Sequence, residues 1–471
     1  MAGHGQGDKH TETKKGLDNG TPATSLSNVT SSRAYILTVE DGKGAPGPPL
    51  ETDGHVGVQH PTSFLETLVH LLKGNIGSGL YAMGDAFLNA GLVLAPILTL
   101  FLGVICVYSQ HMLLTGAKKL QEKTGSKTPP SFAEAVELSF KNGPPTLHKW
   151  ARAVRLWTNI FLCITQMGFC CVYFVFISDN VKQVMDYYEV TLDVHVHMVI
   201  ALIPIMLSCW IRDLKYLVPV SLVANVFMTV GIAVTFYFIS QDLPSPSERE
   251  YVASWTKIPL FFGTVIYSFE GIGLVIPLQN EMKKPGQFTS AFGVLNIGMT
   301  IVSILLITMG FLGYLKYGDG VLGSLTLNLP QDDVLGQAVQ LTISMGVLFS
   351  YALQMYVPIE IIWPRILERW GPFKHHSVTE IIFRSSLVLV TFVLAEAIPH
   401  LSLFISLVGA VSSTALALFF PAILDLAVHW DSGFGRYKWL LWKDGFIIFI
   451  GIVGFLTGTY ASVDAIVRKF L

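Results

Sequence analysis

The stretch His70-Leu71-Leu72-Lys73-Gly74-Asn75-Ile76-Gly77-Ser78-Gly79-Leu80 decides the reading of this chain. Apolar sequence runs into it from Phe64 and out of it toward Leu94, so it lies at membrane depth. It nevertheless carries three glycines, an asparagine, a lysine and a histidine, a composition that disfavours an unbroken helix. In lipid, backbone that leaves the helix must be buried in protein or line a wet cavity. The stretch is expected to be a broken membrane helix and a candidate binding site.

Composition agrees with membrane depth. Of 471 residues, 51% are hydrophobic and 14% charged, and the mean hydropathy is +0.53. Soluble domains carry about 25% charged residues, so this chain lacks the side chains to make a water-facing surface. Segments of roughly 20 apolar residues cross a bilayer. Eleven are expected, over residues 64–94 (broken, merging into the next), 92–116, 157–178, 194–211, 217–239, 258–278, 291–312, 338–363, 378–398, 401–424 and 445–463. The fold class is an all-α polytopic membrane protein, with a transmembrane domain over 61–471.

Residues 1–60 are rich in Gly, Ser, Thr, Pro and Asp and read as a disordered cytosolic tail with no cleavable signal peptide. Asn19-Gly20-Thr21 and Asn28-Val29-Thr30 in that tail read as chance matches to a glycosylation triplet. A net charge of −2 points to no nucleic-acid partner. Cys106, Cys163, Cys170, Cys171 and Cys209 all fall in apolar runs, so neither a disulfide framework nor a metal site is expected.

Lys and Arg set the orientation. With the amino terminus inside, the inner loops hold 19 of them and the outer segments 6. An odd number of spans then puts the carboxyl terminus on the extracytosolic side. In the longest inner loop, Ser131 and Glu134 have the spacing of a capping box, which predicts a short interfacial helix that packs on the bundle.

The sixth span has its own interruption, Ser268-Phe269-Glu270-Gly271-Ile272-Gly273. The first and sixth spans are five apart, and five is odd, so a second five-span unit enters the membrane with the opposite orientation. This predicts a 5+5 inverted repeat, over about 64–239 and 258–424, with an extra helix at 445–463. Paired interrupted helices in inverted units point to a transporter's central site. Half-helix amino ends attract a carboxylate, and free carbonyls at carboxyl ends suit an ammonium group. Gly74, Asn75, Gly77, Ser78 and Gly79, with Ser268, Phe269, Glu270 and Gly271, are therefore the expected substrate-binding residues for a small zwitterion.

Ionisable groups at membrane depth face a cavity or a partner. An unperturbed imidazole titrates in the physiological range, so His70 can load a proton, or it bonds a neighbouring carbonyl. Lys73 is expected to snorkel to the inner interface rather than act as a fixed cation. Asp85 pairs with a cation or sits in the outer vestibule. Glu270, inside the second break, is the strongest proton carrier; bonding to freed backbone N–H groups is its structural alternative. Gly77-x-Gly79-x-x-Ala82 fits a dinucleotide fingerprint only superficially, since no strand precedes it. No catalytic constellation is found, and an enzyme is not expected.

At these residues the sequence resembles the proton-coupled amino acid transporters of the amino acid/auxin permease group. The first-span stretch from His70 to Gly79 resembles that family's first-span motif. Phe261-Phe262-Gly263-Thr264 through Phe269-Glu270-Gly271-Ile272-Gly273, ending Asn280-Glu281-Met282, resembles its sixth. Ser350-Tyr351-Ala352-Leu353-Gln354 with Val357-Pro358-Ile359-Glu360 resembles its eighth. The resemblance implies a LeuT-like fold and proton symport of small neutral amino acids of the glycine, alanine and proline class. It implies that His70 is the family's proton-linked histidine, and that the protein resides at the plasma membrane or in late endosomes and lysosomes. Two positions depart from the pattern: Met83-Gly84 stands where a proline is usual, and Gln279 stands where an acid is common.

No cofactor is expected. The coupling ion is H+, with Na+ as the alternative, and proton coupling is assigned to His70, Glu270 and Asp85. A low-capacity amino-acid sensor, with a signalling partner for its tail, is the other alternative reading.

Overall fold

The computed structural model describes residues 61–470 apart from Asp213, Pro372 and Ser432, and the backbone alone over 214–221 and at Phe470. The expected tail over 1–60 and its two asparagine triplets lie outside the described residues. The regular structure among those residues is helical, apart from one parallel bridge between Thr62 and Met282.

In chain order the elements are α1 (Phe64–Asn75), α2 (Ser78–Ala90), α3 (Leu94–Thr124), α4 (Phe132–Lys141) and α5 (Ala151–Tyr187). Next come α6 (Val194–Cys209), α7 (Leu214–Ile239), α8 (Ile258–Ser268), α9 (Ile272–Glu281) and α10 (Val294–Tyr317). The chain ends with α11 (Val334–Trp370), α12 (His376–Ala397), α13 (Leu401–Val408), α14 (Phe420–Val428) and α15 (Trp439–Phe470). Among the described residues, nine helices are long and apolar enough to cross a membrane, counting α8 and α9 as one. The apolar α6 is shorter, and α1 and α2 are separated by the first break.

Local chemistry sets several ends. Ser63 and Glu66 form a reciprocal capping box that starts α1. Ser131 and Glu134 form the one expected from sequence at the start of α4. That short helix is pinned to α5, where Arg155 donates to Glu137 at 2.8 Å and to Glu134 at 3.1 Å. The long helices outrun their apolar windows because polar end turns stay helical: α5 extends to Tyr187 and α15 from Trp439 to Phe470. Pro358 and Pro364 lie inside α11, which runs through both.

The tenth span departs from the expected regular helix. Between α13 and α14, Gly409–Ser413 and Ala415–Phe419 are π-helical. The Thr414 hydroxyl donates to the carbonyl of Gly409, five residues back, at 2.8 Å. A Cβ at Gly409 would overlap the carbonyl of Gly263 in α8, so glycine there permits backbone to meet backbone. π-Turns inside α-helices are frequently found at functional sites.

The two broken helices, α1–α2 and α8–α9, lie at the centre. The second halves and first halves interlock, with α2 packed on α8 and α10, and α1 on α9 and α10. The long α5 packs against α11, and α3 and α13 close other sides of α8. At the periphery α15 turns Gly454 toward Phe262 and Gly458 toward Ala410 and Pro259. Its small-residue face therefore packs within the bundle.

Candidate functional site

α1 stops because its last residue bonds backward. The Asn75 amide donates to the carbonyl of Leu71 at 2.9 Å, Ile76 turns extended, and α2 restarts at Ser78 from an N-cap, Gly77, that offers no side chain. The break thus falls at Ile76 and Gly77, the middle of the glycine-rich stretch. In the second, α8 ends at Ser268, and α9 restarts at Ile272 after Phe269, Glu270 and Gly271. Each restart leaves first-turn N–H groups without intrahelical acceptors.

The breaks face each other and are tied together. The Ser78 hydroxyl and the Tyr267 phenol are 2.9 Å apart, and Ser268 donates to the carbonyl of Gly79 at 3.1 Å. A Cβ on Gly79 would lie 2.7 Å from Oγ of Ser268 and 2.9 Å from its Cα. A Cβ on Gly271 would lie 2.5 Å from Oδ1 of Asn75. Glycine at 79 and at 271 is what allows this approach.

Between the breaks is a cavity with about 320 Å³ of empty volume, part of it open to solvent. Gly74, Asn75, Gly77, Ser78 and Gly79 line it from the first broken helix, and Tyr267, Ser268 and Glu270 from the second. Phe169 and Tyr173 of α5 and Gln354 of α11 complete the wall. Phe169 stands edge-on to Tyr267 with ring centroids 4.7 Å apart, and Gln354 donates to the Tyr173 phenol at 3.4 Å. These three walls, and Tyr267, were not predicted from sequence. The polar Gln354 within an apolar span was the available signal.

Of the nine predicted binding residues, seven line the cavity, and Phe269 and Gly271 do not. The Phe269 ring is buried and points toward Gly103 of α3 instead. Gly271 contributes space for Asn75. Among the predicted proton-coupling residues, only Glu270 lines the cavity; its Oε2 is buried without a hydrogen-bond partner among the described residues.

His70 is half-buried on α1, one helical turn from both Glu66 and Lys73, and makes no hydrogen bond among the described residues. The alternative of a carbonyl-bonded imidazole is therefore not what the structure records. Asp85 sits in the body of α2 and accepts from Asn89 at 3.3 Å, with Lys257 and Lys469 as the nearby cations. The Lys73 ammonium departs from the expected snorkelling: it is buried and has no hydrogen-bond partner among the described residues.

The sequence of residues 60–464 matches the family model described as transmembrane amino acid transporter protein. The chain belongs to the transmembrane amino acid transporter family. This transporter is 40% identical over 412 residues to the proton-coupled amino acid transporter-like protein pathetic of Drosophila melanogaster, covering 87% of each chain. It is 25% identical over 446 residues to the probable amino acid transporter skat-1 of Caenorhabditis elegans, covering 92% of this chain and 95% of that one. A solved Na+-coupled sialic acid symporter, in a substrate-bound outward-open state, matches it in fold with a TM-score of 0.51 at 13% identity. The match covers 86% of this transporter and 89% of the symporter. These relatives are transporters, not enzymes.

Proposed function

We propose that the chain is a symporter that couples protons to small neutral amino acids and works by alternating access. The observation that carries this reading is the cavity shared by two interrupted helices, with the Glu270 carboxyl on its wall. First-turn N–H groups at Gly77, Ser78 and Gly79 receive the substrate carboxylate. Free carbonyls at the end of α8, near Ser268, receive its ammonium group. The rings of Phe169, Tyr173 and Tyr267 leave room for short side chains, which favours the glycine, alanine and proline class.

Glu270 and His70 handle the proton, and Asp85 lies along the outer half of the path. The name of the fly relative supports H+ as the coupling ion. The 5+5 inverted repeat and an eleven-span count fit the placement of the breaks. The Lys and Arg asymmetry supports a cytosolic amino terminus and an extracytosolic carboxyl terminus, and the family resemblance supports residence in the plasma membrane or in late endosomes and lysosomes. A proton crossing with a neutral solute gains about 2.3 kcal/mol per 100 mV and about 1.4 kcal/mol per pH unit. Together these sustain a gradient of roughly a few hundredfold.

The test is current from purified protein in liposomes on a solid-supported membrane. Adding alanine in sodium-free buffer is expected to move positive charge inward, more strongly with acid outside. Current that requires sodium overturns proton coupling, and saturable binding without current overturns transport.

A further inference from the structure

On the wall of the cavity beside Glu270, the buried amide oxygen of Asn75 lacks a donor among the described residues. Asn75 is 7% exposed, Glu270 8% and Ser413 0%. The Asn75 amide nitrogen is committed to Leu71, which fixes the carbonyl oxygen Oδ1 on the side facing Gly271. Among the described residues Oδ1 of Asn75, Oε2 of Glu270 and Oγ of Ser413 have no partner with hydrogen-bond geometry. The Ser413 hydroxyl nevertheless faces the Glu270 carboxyl from the π-helical turn.

Donors and acceptors can be counted. An amide oxygen and a carboxylate accept only, and a serine hydroxyl supplies one hydrogen. The Glu270 carboxyl is faced by two donors, the Ser413 hydroxyl and the Ile272 backbone N–H, whereas Oδ1 of Asn75 has none among the described residues. The large majority of buried side-chain polar atoms have a partner, and the neutral Glu270 acid is the group on this wall that can offer Oδ1 of Asn75 a hydrogen. The titratable groups that face it are Cys106 of α3 and, across the cavity, Tyr173 of α5 and Tyr267 of α8. None of these brings a positive charge, and His70 and Lys73 of α1 do not line the cavity.

We propose that Asn75 and Ser413 form a two-sided proton site around Glu270, Asn75 accepting the hydrogen of the neutral acid and Ser413 donating to the carboxylate. The inference rests on the symport reading above and adds the residues that set its proton affinity. In each cycle Glu270 takes one proton from the outer side and becomes a neutral acid. It returns that proton to the inner side and becomes a carboxylate again, and no electrons move. Ser413 and Asn75 are positioning residues. The π-turn brings Ser413 to the break, and Gly271 leaves the space that Asn75 needs.

The two positioning residues have opposite effects. A hydrogen bond to the charged form opposes protonation, and one to the neutral form favours it. Ser413→Ala is therefore expected to move the half-maximal pH of alanine uptake upward, and Asn75→Leu to move it downward. Each shift is about one pH unit, the weight of a hydrogen bond to an ionised group. Ser413→Thr keeps the hydroxyl and should stay near the wild-type midpoint. Midpoints are read in proteoliposomes with internal pH fixed, beside the thermal stability of each variant. Where Asn75→Leu does not fold, Asn75→Ala supplies the second removal.

Opposite shifts support the site. Lower flux with unmoved midpoints, or shifts in the same direction, overturns it while leaving proton symport in place. Wild-type uptake that ignores pH sinks the symport reading itself, a separate outcome.

Discussion

The hydroxyl of Ser78 and the phenol of Tyr267 lie 2.9 Å apart, a bond that crosses from the first residue of α2 to the last turn of α8. It joins the restart of one broken helix to the end of the other, on the wall of the cavity. A net hydrogen bond weighs about 1 kcal/mol, roughly fivefold in an equilibrium. Ser78→Ala is expected to raise the KM for alanine about fivefold, with protein yield and melting temperature kept. Equilibrium binding by scintillation proximity checks it, and unchanged affinity separates this bond from the substrate site.

Glycines 77 and 79 are predicted to respond differently to the same added carbon. A Cβ at Gly77 meets nothing within 4 Å, whereas one at Gly79 runs into the backbone of Ser268. Gly77→Ala should fold normally, and Gly77→Val should weaken substrate binding by filling the break. Gly79→Ala should lower stability by about 1–3 kcal/mol, the usual cost of overpacking. Detergent melting curves beside binding isotherms distinguish the two. Equal loss of stability at both positions contradicts the geometry.

The Met83-Gly84 departure has a structural reason. A Cβ on Gly84 would lie 2.6 Å from Cδ2 of Leu325 and 2.9 Å from Cγ2 of Val321, both in the loop between α10 and α11. The buried Leu325 side chain rests against Gly84 and Gly313 together. Gly84→Ala is therefore expected to destabilise by about 1–3 kcal/mol. Leu325→Ala should reduce the added effect of Gly84→Ala, so the double-variant cycle is non-additive. Additive losses would show that the two residues do not share one space.

Outside the spans, the α4 anchor carries a pH signature. Burial pushes the Glu137 carboxyl up, but hydrogen bonds from Lys141 and Arg155 outweigh that and hold it below the ordinary carboxylate range. A carboxyl lowered in the folded state contributes stability above its unfolded value, and that contribution is lost as pH falls through the folded value. The attachment of α4 to α5 should hold at neutral pH and loosen only in strong acid. Limited proteolysis in the loop at Lys127 reads this. Glu137→Gln should increase cleavage at neutral pH, and cleavage unaffected by this change argues against the anchor.

The sequence announced the site through its exceptions to membrane chemistry. Glycines, Asn75 and Glu270 stand out in apolar runs because backbone freedom and a buried acid are costly there, and both breaks fall where those residues cluster. Phe169, Tyr173 and Tyr267 gave no such signal, since an aromatic residue in a membrane helix is ordinary. Which face each shows depends on packing between helices. Phe269, one position from Glu270, was assigned to the cavity by proximity, yet its ring goes to Gly103. The π-turns at 409–419 were hidden for a related reason. They begin where Gly409 closely approaches Gly263, a contact between distant residues that periodicity along one helix does not record.

Accumulation of labelled alanine in proteoliposomes tests the central claim most directly, with pH and sodium gradients imposed separately on wild type, His70→Ala and Glu270→Gln. The account predicts that wild type concentrates alanine when the outside is acid, with or without sodium. Both variants should still bind alanine but fail to concentrate it in response to the pH gradient. Accumulation that follows the sodium gradient alone, or pH-driven accumulation undiminished in both variants, would contradict it.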